Sequence, residues 1–143
     1  MGLLDRLRRR RPAPAVEYDP LDPRLEVCLR ADDAARADSS VLAEAAARGV
    51  DVDAPLLVRH HLVGLPDVAA VEEARRLLAQ DGYALVTGPP YARPLAALAC
   101  RTQVLTALSA SQERSRMAGL AQRLGGDVAG YDALRPAQES AAG

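Results

Sequence analysis

Apolar and polar positions along the chain fall into two successive copies of one grammar. Residues 56 to 63 read Leu-Leu-Val-Arg-His-His-Leu-Val, an apolar run with a short basic step, and Gly64-Leu65-Pro66-Asp67 breaks it. A helical period follows from Val68 to Gln80. Val68, Val71, Ala74, Leu77 and Leu78 line one side, and Glu72, Glu73, Arg75 and Arg76 the other. Asp67 stands where a helix cap is needed, Asp81-Gly82 closes the period, and Tyr83 to Thr87 predicts a short strand. The second copy opens with a long strand candidate, Leu95 to Thr106. A helix comes next, with Ser109 as its cap and a stripe of Met117, Leu120, Ala121 and Leu124. Gly125-Gly126 and a last strand, Asp127 to Leu134, complete it.

The order strand, helix, strand, strand, helix, strand predicts an α+β domain. It is the ferredoxin-like βαββαβ sandwich, a four-stranded antiparallel sheet with two helices on one face. An extra helix precedes it, begun at Asp38-Ser39-Ser40, where Asp38 or a serine can cap the free amides, and stopped at Gly49. Leu25 to Leu29 reads equally as a strand or as helical turns. Residues 1–23 form a basic, Pro-rich tail, with Leu3, Leu4 and Leu7 beside Arg6 and Arg8 to Arg11, then Pro12, Pro14, Pro20 and Pro23. The tail reads either as a solvated, frayed terminus or as a weak attachment to acidic lipid, RNA or an acidic partner. Residues 24–54 are the lead-in, 55–135 the ferredoxin-like domain, and 136–143 a C-terminal tail.

Strand alternation assigns faces. In the first strand Leu56, Val58, His60 and Leu62 are expected toward the helices, and Arg59 and His61 toward the open side of the sheet. His60 is then a core histidine hydrogen-bonded to backbone. Since the two imidazoles point to opposite faces, they cannot hold one metal ion together. In the strand from Leu95 the even positions Ala96, Leu98, Cys100 and Val104 are expected inward, with Arg101 and Gln103 outward. On the apolar face Cys100 would lack access and a thiolate-stabilising charge.

Composition narrows the chemistry further. The chain has no Phe, Trp, Ile, Lys or Asn, and all 18 basic residues are Arg, a bias that points to a GC-rich bacterial genome. Its core must be built from Leu, Val and Ala. A formal charge of −1 argues against a nucleic-acid binder driven by bulk electrostatics. RNA binding through a sheet stacks bases on strand aromatics, which are scarce here. Cys28 and Cys100 belong to no CxxC pair and read as reduced thiols. With no secretory signal and no membrane-length apolar run, a cytoplasmic location is expected. No nucleophile–base order, phosphate loop or metal spacing emerges, so no catalytic, cofactor or metal residues are expected.

Three stretches resemble the family of regulators of ribonuclease E activity B (RraB). They are the helix, Gly49 and Val50-Asp51-Val52-Asp53 leading to Arg59-His60-His61-Leu62; Ala74 to Leu78 followed by Asp81-Gly82-Tyr83; and Leu124-Gly125-Gly126-Asp127-Val128-Ala129-Gly130-Tyr131. The last departs from the family pattern, with Val128, Ala129 and Tyr131 where Tyr, Asp and Trp are usual. The long acidic tail of the enterobacterial members has no counterpart, and the N-terminus is basic. The resemblance implies a non-enzymatic protein inhibitor that binds ribonuclease E and slows RNA turnover. The expected contact surface is the open face with Arg59, His61, Arg101 and Gln103, and Tyr131 beside it. A small-ligand-sensing or self-assembling regulatory domain is the alternative.

Overall fold

The structure is a computed structural model that describes residues 16–88 and 95–138. The elements in chain order are β1 (Leu25–Ala31), α1 (Asp38–Ala47), β2 (Leu56–Leu65), α2 (Val68–Ala79), β3 (Ala84–Thr87), β4 (Leu95–Gln103), α3 (Ala107–Arg123) and β5 (Asp127–Pro136). The expected basic block and Leu3, Leu4 and Leu7 lie outside the described residues. The strands form one antiparallel sheet ordered β1-β5-β2-β4-β3. Its β5-β2-β4-β3 part is the ferredoxin-like arrangement, with β2 and β4 central.

The expected four strands are therefore five, because Leu25 to Ala31 pairs along β5. A bulge between Val27 and Leu29 explains why this strand could not be read from its sequence. Leu25 and Val27 pack with Leu57 and Leu134 on one face, whereas Leu29 and Ala31 join the helix-side core. All four are odd-numbered. The extra residue of the bulge, Cys28, reverses the alternation midway and erases the period of two.

Two apolar clusters lie between the sheet and the helices. Leu62, Leu65, Leu85, Leu95, Ala97 and Ala99 of β2, β3 and β4 pack against Val71, Ala74 and Leu78 of α2 and Met117, Leu120 and Ala121 of α3. Leu29, Ala31, Leu56, Val58 and Ala133 pack against Val41, Leu42 and Ala45 of α1 and Ala110 of α3. Alanines that are fully buried on the helices let their backbones approach the sheet closely, which is how a core without Phe or Trp fills its space. Gly126 and Gly130 serve the same closeness. A Cβ on Gly126 would sit 2.6 Å from the Val63 carbonyl oxygen, and one on Gly130, at φ +101°, 2.3 Å from that of Ala31.

The caps differ in part from expectation. Asp67 caps α2 by accepting from the Ala70 amide at 2.8 Å. For α3 the cap is Thr106, with Ser109 completing the capping box from the third helical position. Strand β4 ends earlier than expected, and Val104 and Leu105 lead into the turn. For α1, Ala37 occupies the cap position and no side chain caps the helix. Asp38 points inward instead, where it has other partners.

Each sheet edge is guarded by an arginine. Arg48 after α1 donates to the Cys28 carbonyl of β1 at 2.9 Å, and Arg75 of α2 donates to the Leu85 carbonyl of β3 at 2.8 Å. Together with the β1 bulge and the shortness of β3, these contacts limit edge-to-edge pairing with other chains.

Candidate functional site

The face of the sheet away from the helices is the open one. Its register follows β2, where Leu57, Arg59, His61 and Val63 lie on this side, as the alternation predicted. The expectation for β4 is corrected. Arg59 stands opposite Cys100, His61 opposite Leu98, and Val58 opposite Arg101. Directly paired residues share a face. Cys100 and Leu98 therefore belong to the open face, and Arg101 and Gln103 to the helix side. Both faces of β4 are comparably apolar, Leu95-Ala97-Ala99 against Ala96-Leu98-Cys100, so alternation alone had nothing with which to choose.

On the open face Asp132 of β5 gathers Arg59 and His61. Its carboxylate, only 3% exposed, accepts from Arg59 Nε and Nη2 at 2.7 and 2.7 Å and from His61 Nε2 at 3.1 Å. Burial pushes the Asp132 carboxyl up, but the Arg59 guanidinium, with help from His61, holds it below the usual carboxylate range. The same pairing raises Arg59. An ionised carboxylate can only accept, so His61 Nε2 carries a hydrogen and Nδ1 is free of partners among the described residues. A bidentate arginine and a histidine fixed by one buried acid make a rigid polar patch.

Beside this patch lies a groove of about 300 Å³ lined by His61, Val63, Val86, Ala96 and Leu98 among others. Another part of the face is covered. Tyr18 folds back over Leu57, Cys100 and Leu134, with its amide donating to Thr102 Oγ1 at 2.9 Å. Cys100 is buried there, and burial pushes its thiol up to about 12, with Arg59 pulling the other way. Cys100 is buried as expected, but on the other face: it lies on the open side, beneath Tyr18 and opposite Arg59.

Arg101, Gln103 and Tyr131 do not join Arg59 and His61 on one surface. The Arg101 guanidinium carbon lies 4.2 Å from the Tyr83 ring centroid; its Nη1 donates to the Asp81 carbonyl at 3.0 Å and its Nη2 to Glu113 of α3. Gln103 and the Tyr83 hydroxyl each donate to Glu113 at 2.8 Å. Tyr131 is 2% exposed, and its hydroxyl donates to Asp38 at 3.1 Å; Arg114 binds the same carboxylate at 3.0 Å. These groups form a polar layer that ties β4 and β5 to α1 and α3. Between the two tyrosines sits His60, with ring centroids 6.1 Å from Tyr83 and 5.6 Å from Tyr131. His60 faces the helices as expected. Its Nε2, however, has no hydrogen-bond partner among the described residues, in place of the expected backbone bond. Burial, the largest influence, lowers its pKa to about 4.

Asp132 is the site residue that sequence reasoning missed. Its signal was an acid inside the apolar run Tyr131-Asp132-Ala133-Leu134, which needs a cation across the sheet. Among the described residues no group of three or more metal-ligating side chains occurs, and no helix is long and apolar enough to cross a membrane.

Comparison with known families fits this geometry. The family described as Regulator of ribonuclease activity B matches residues 35–133, from just before α1 into β5. The chain belongs to the RraB family. The RraB match takes in both central strands, all three helices, Arg59, His61 and Asp132, while β1 and the Tyr18 strap lie outside it. No curated protein and no solved structure matches the chain. RraB proteins are, by that description, regulators of ribonuclease activity, which makes the role of this chain a regulatory one.

Proposed function

We propose that this protein is a non-enzymatic regulator that binds a ribonuclease, ribonuclease E by the resemblance, and modulates RNA turnover in the cytoplasm. The open face is the docking surface, with Arg59 and His61 at its centre. Arg101, Gln103 and Tyr131 act behind the sheet, holding its other face to the helices. The observation that carries this reading is the Arg59–Asp132–His61 cluster. It sits beside an apolar groove on the sheet face that no helix among the described residues covers. Fixed polar groups around a small apolar recess suit a protein interface, because their side chains lose little freedom on binding.

The test is co-purification with ribonuclease E. Ala96 is exposed on this face, so Ala96→Glu places a charge in the groove without disturbing the core. Retention of the ribonuclease should fall at least tenfold, while Gln112→Glu, on the exposed side of α3, leaves it unchanged. Equal retention by both variants would remove the open face from the interaction.

A further inference from the structure

Strand β1 closes the sheet on one side. It pairs with β5 along one edge, and among the described residues no strand pairs with the other. Along that free edge, between β1 and α1, runs a recess of about 450 Å³. Residues 27–30 form its strand wall, and Val41, Glu44 and Arg48 its helix wall. The Cys28 carbonyl opens into it and accepts from Arg48 Nη2 at 2.9 Å. Charge in the recess is unevenly paired. Arg36 and Glu44 bind each other. Arg48 bonds to that carbonyl and to no carboxylate among the described residues. Arg30 has no partner among them either, because Asp132 opposite it is held by Arg59 and His61. Two arginines thus lack a carboxylate, Arg48 on the helix side of the edge and Arg30 on the open side. Arg135 of β5 adds to the positive field: burial pushes the Cys28 thiol up, and Arg135 and Arg48 pull it back. Asp32, just past Ala31, is exposed and has no side-chain partner among the described residues.

We propose that this edge binds an extended acidic segment of a partner protein, which adds to the sheet as a strand beside β1 and places two adjacent carboxylates on Arg48 and Arg30. Strand addition needs an edge with open backbone groups and recesses for alternate side chains, and β1 with α1 supplies both. The wall from Val27 to Arg30 takes a segment of about four residues at ~3.3 Å each. Successive residues of a strand point to opposite faces. A consecutive pair of acids therefore sends one carboxylate beneath α1 to Arg48 and the other to Arg30. Asp32 disfavours a third acid beyond them. The Arg48 guard makes the edge selective. An incoming amide takes over the Cys28 carbonyl, and Arg48 exchanges that carbonyl for a carboxylate, whose charge-assisted bonds are roughly twice as strong as neutral ones. A strand without an acid would displace Arg48 and offer it nothing in return. The contact uses β1, outside the residues matched to the RraB family, and does not rest on the proposed ribonuclease docking.

An amide-shift titration of the full chain at low salt, followed by amide hydrogen exchange, tests the site. The probe is the end-blocked peptide Val-Thr-Glu-Glu-Val-Thr. Amides of Val27 to Arg30 should shift and β1 should gain exchange protection. Affinity should exceed that for Val-Thr-Gln-Gln-Val-Thr by about tenfold, the yield of two exposed ion pairs. Arg30→Glu combined with Arg48→Glu, both at exposed positions, should reverse the preference, so that Val-Thr-Lys-Lys-Val-Thr binds and the acidic peptide does not. No response to the acidic peptide, or equal affinity for the acidic and neutral peptides, overturns the proposal. So do shifts confined to the β3 edge, and so does free glutamate reproducing the whole response, which would leave an anion site only. Protection of β1 that rises with protein concentration and without peptide would make the occupant a second copy, and overturns it too. No ribonuclease is in the sample, so this result and the co-purification result fail independently.

Discussion

Removing Arg59 should cost far more than removing Arg59 and Asp132 together. Arg59→Met deletes two of the three hydrogen bonds to a carboxylate that is 3% exposed, and leaves that charge on the sheet face it shares with Leu57, Cys100 and Leu134. Stranding a buried charge costs about 3–5 kcal/mol. The lower end applies here, because His61 still reaches Asp132 and Arg59 itself is 21% exposed. In Arg59→Met with Asp132→Leu no charge remains to be solvated, and stability should return to within about 1 kcal/mol of the wild type, since apolar replacement of buried pairs is often near neutral. Urea unfolding followed by circular dichroism reads both. The pH dependence gives an independent check. The Asp132 carboxyl is lowered by folding, so its contribution is present above the unfolded value near 3.8 and is lost as pH falls through the folded one. From pH 5 to pH 2 the wild type should lose more stability than the double variant. A cost below about 1 kcal/mol for Arg59→Met, or additivity of the two single changes, would refute the reasoning.

His60 is neutral when folded and its pKa is lowered from 6.5 to about 4 by burial, so stability should decline as pH falls from 6.5 toward 4, by at most about 3 kcal/mol. His60→Leu should abolish that decline while remaining within about 1 kcal/mol at pH 7, because it removes a buried nitrogen that has no partner; an unchanged pH profile would contradict this. Gly130→Ala should destabilise by about 2 kcal/mol or more in thermal unfolding, through both its positive φ and its clash with Ala31. Gly64→Ala, at φ +66° with open space around it, should cost only about 1 kcal/mol. Arg101→Ala leaves Glu113 with fewer partners and uncovers Tyr83. It should lower stability by about 2 kcal/mol and leave ribonuclease co-purification unchanged once the folded fraction is allowed for; a selective loss of binding would return Arg101 to the interface.

The elements around the breakers were legible because their local signals agree. Leu56 to Leu65 alternates about His60 and His61, and Asp67 to Gly82 carries a cap, a stripe and a stop. What failed was every feature decided by pairing instead of by period. In β1 one bulged residue reversed the alternation. In β4, alanines and leucines on both faces left Arg101 and Gln103 as the only polar markers, and both turned inward to meet Glu113, a residue of a helix still to come in the sequence. Tyr131 went the same way, opposite His60 and toward Asp38. Of the candidate site, Arg59 and His61 were legible from the strand alone. Asp132, which fixes both, became visible only once the β2–β5 register was known.

The most direct test of the open face as the docking surface is an amide and methyl chemical-shift map of the labelled full chain titrated with unlabelled ribonuclease E. The account predicts that His61, Val63, Ala96 and Leu98 respond first and most, with the exposed sides of α2 and α3 silent. Shifts concentrated on Glu72, Glu73, Gln112 and Ser115, with the open face unmoved, would contradict it.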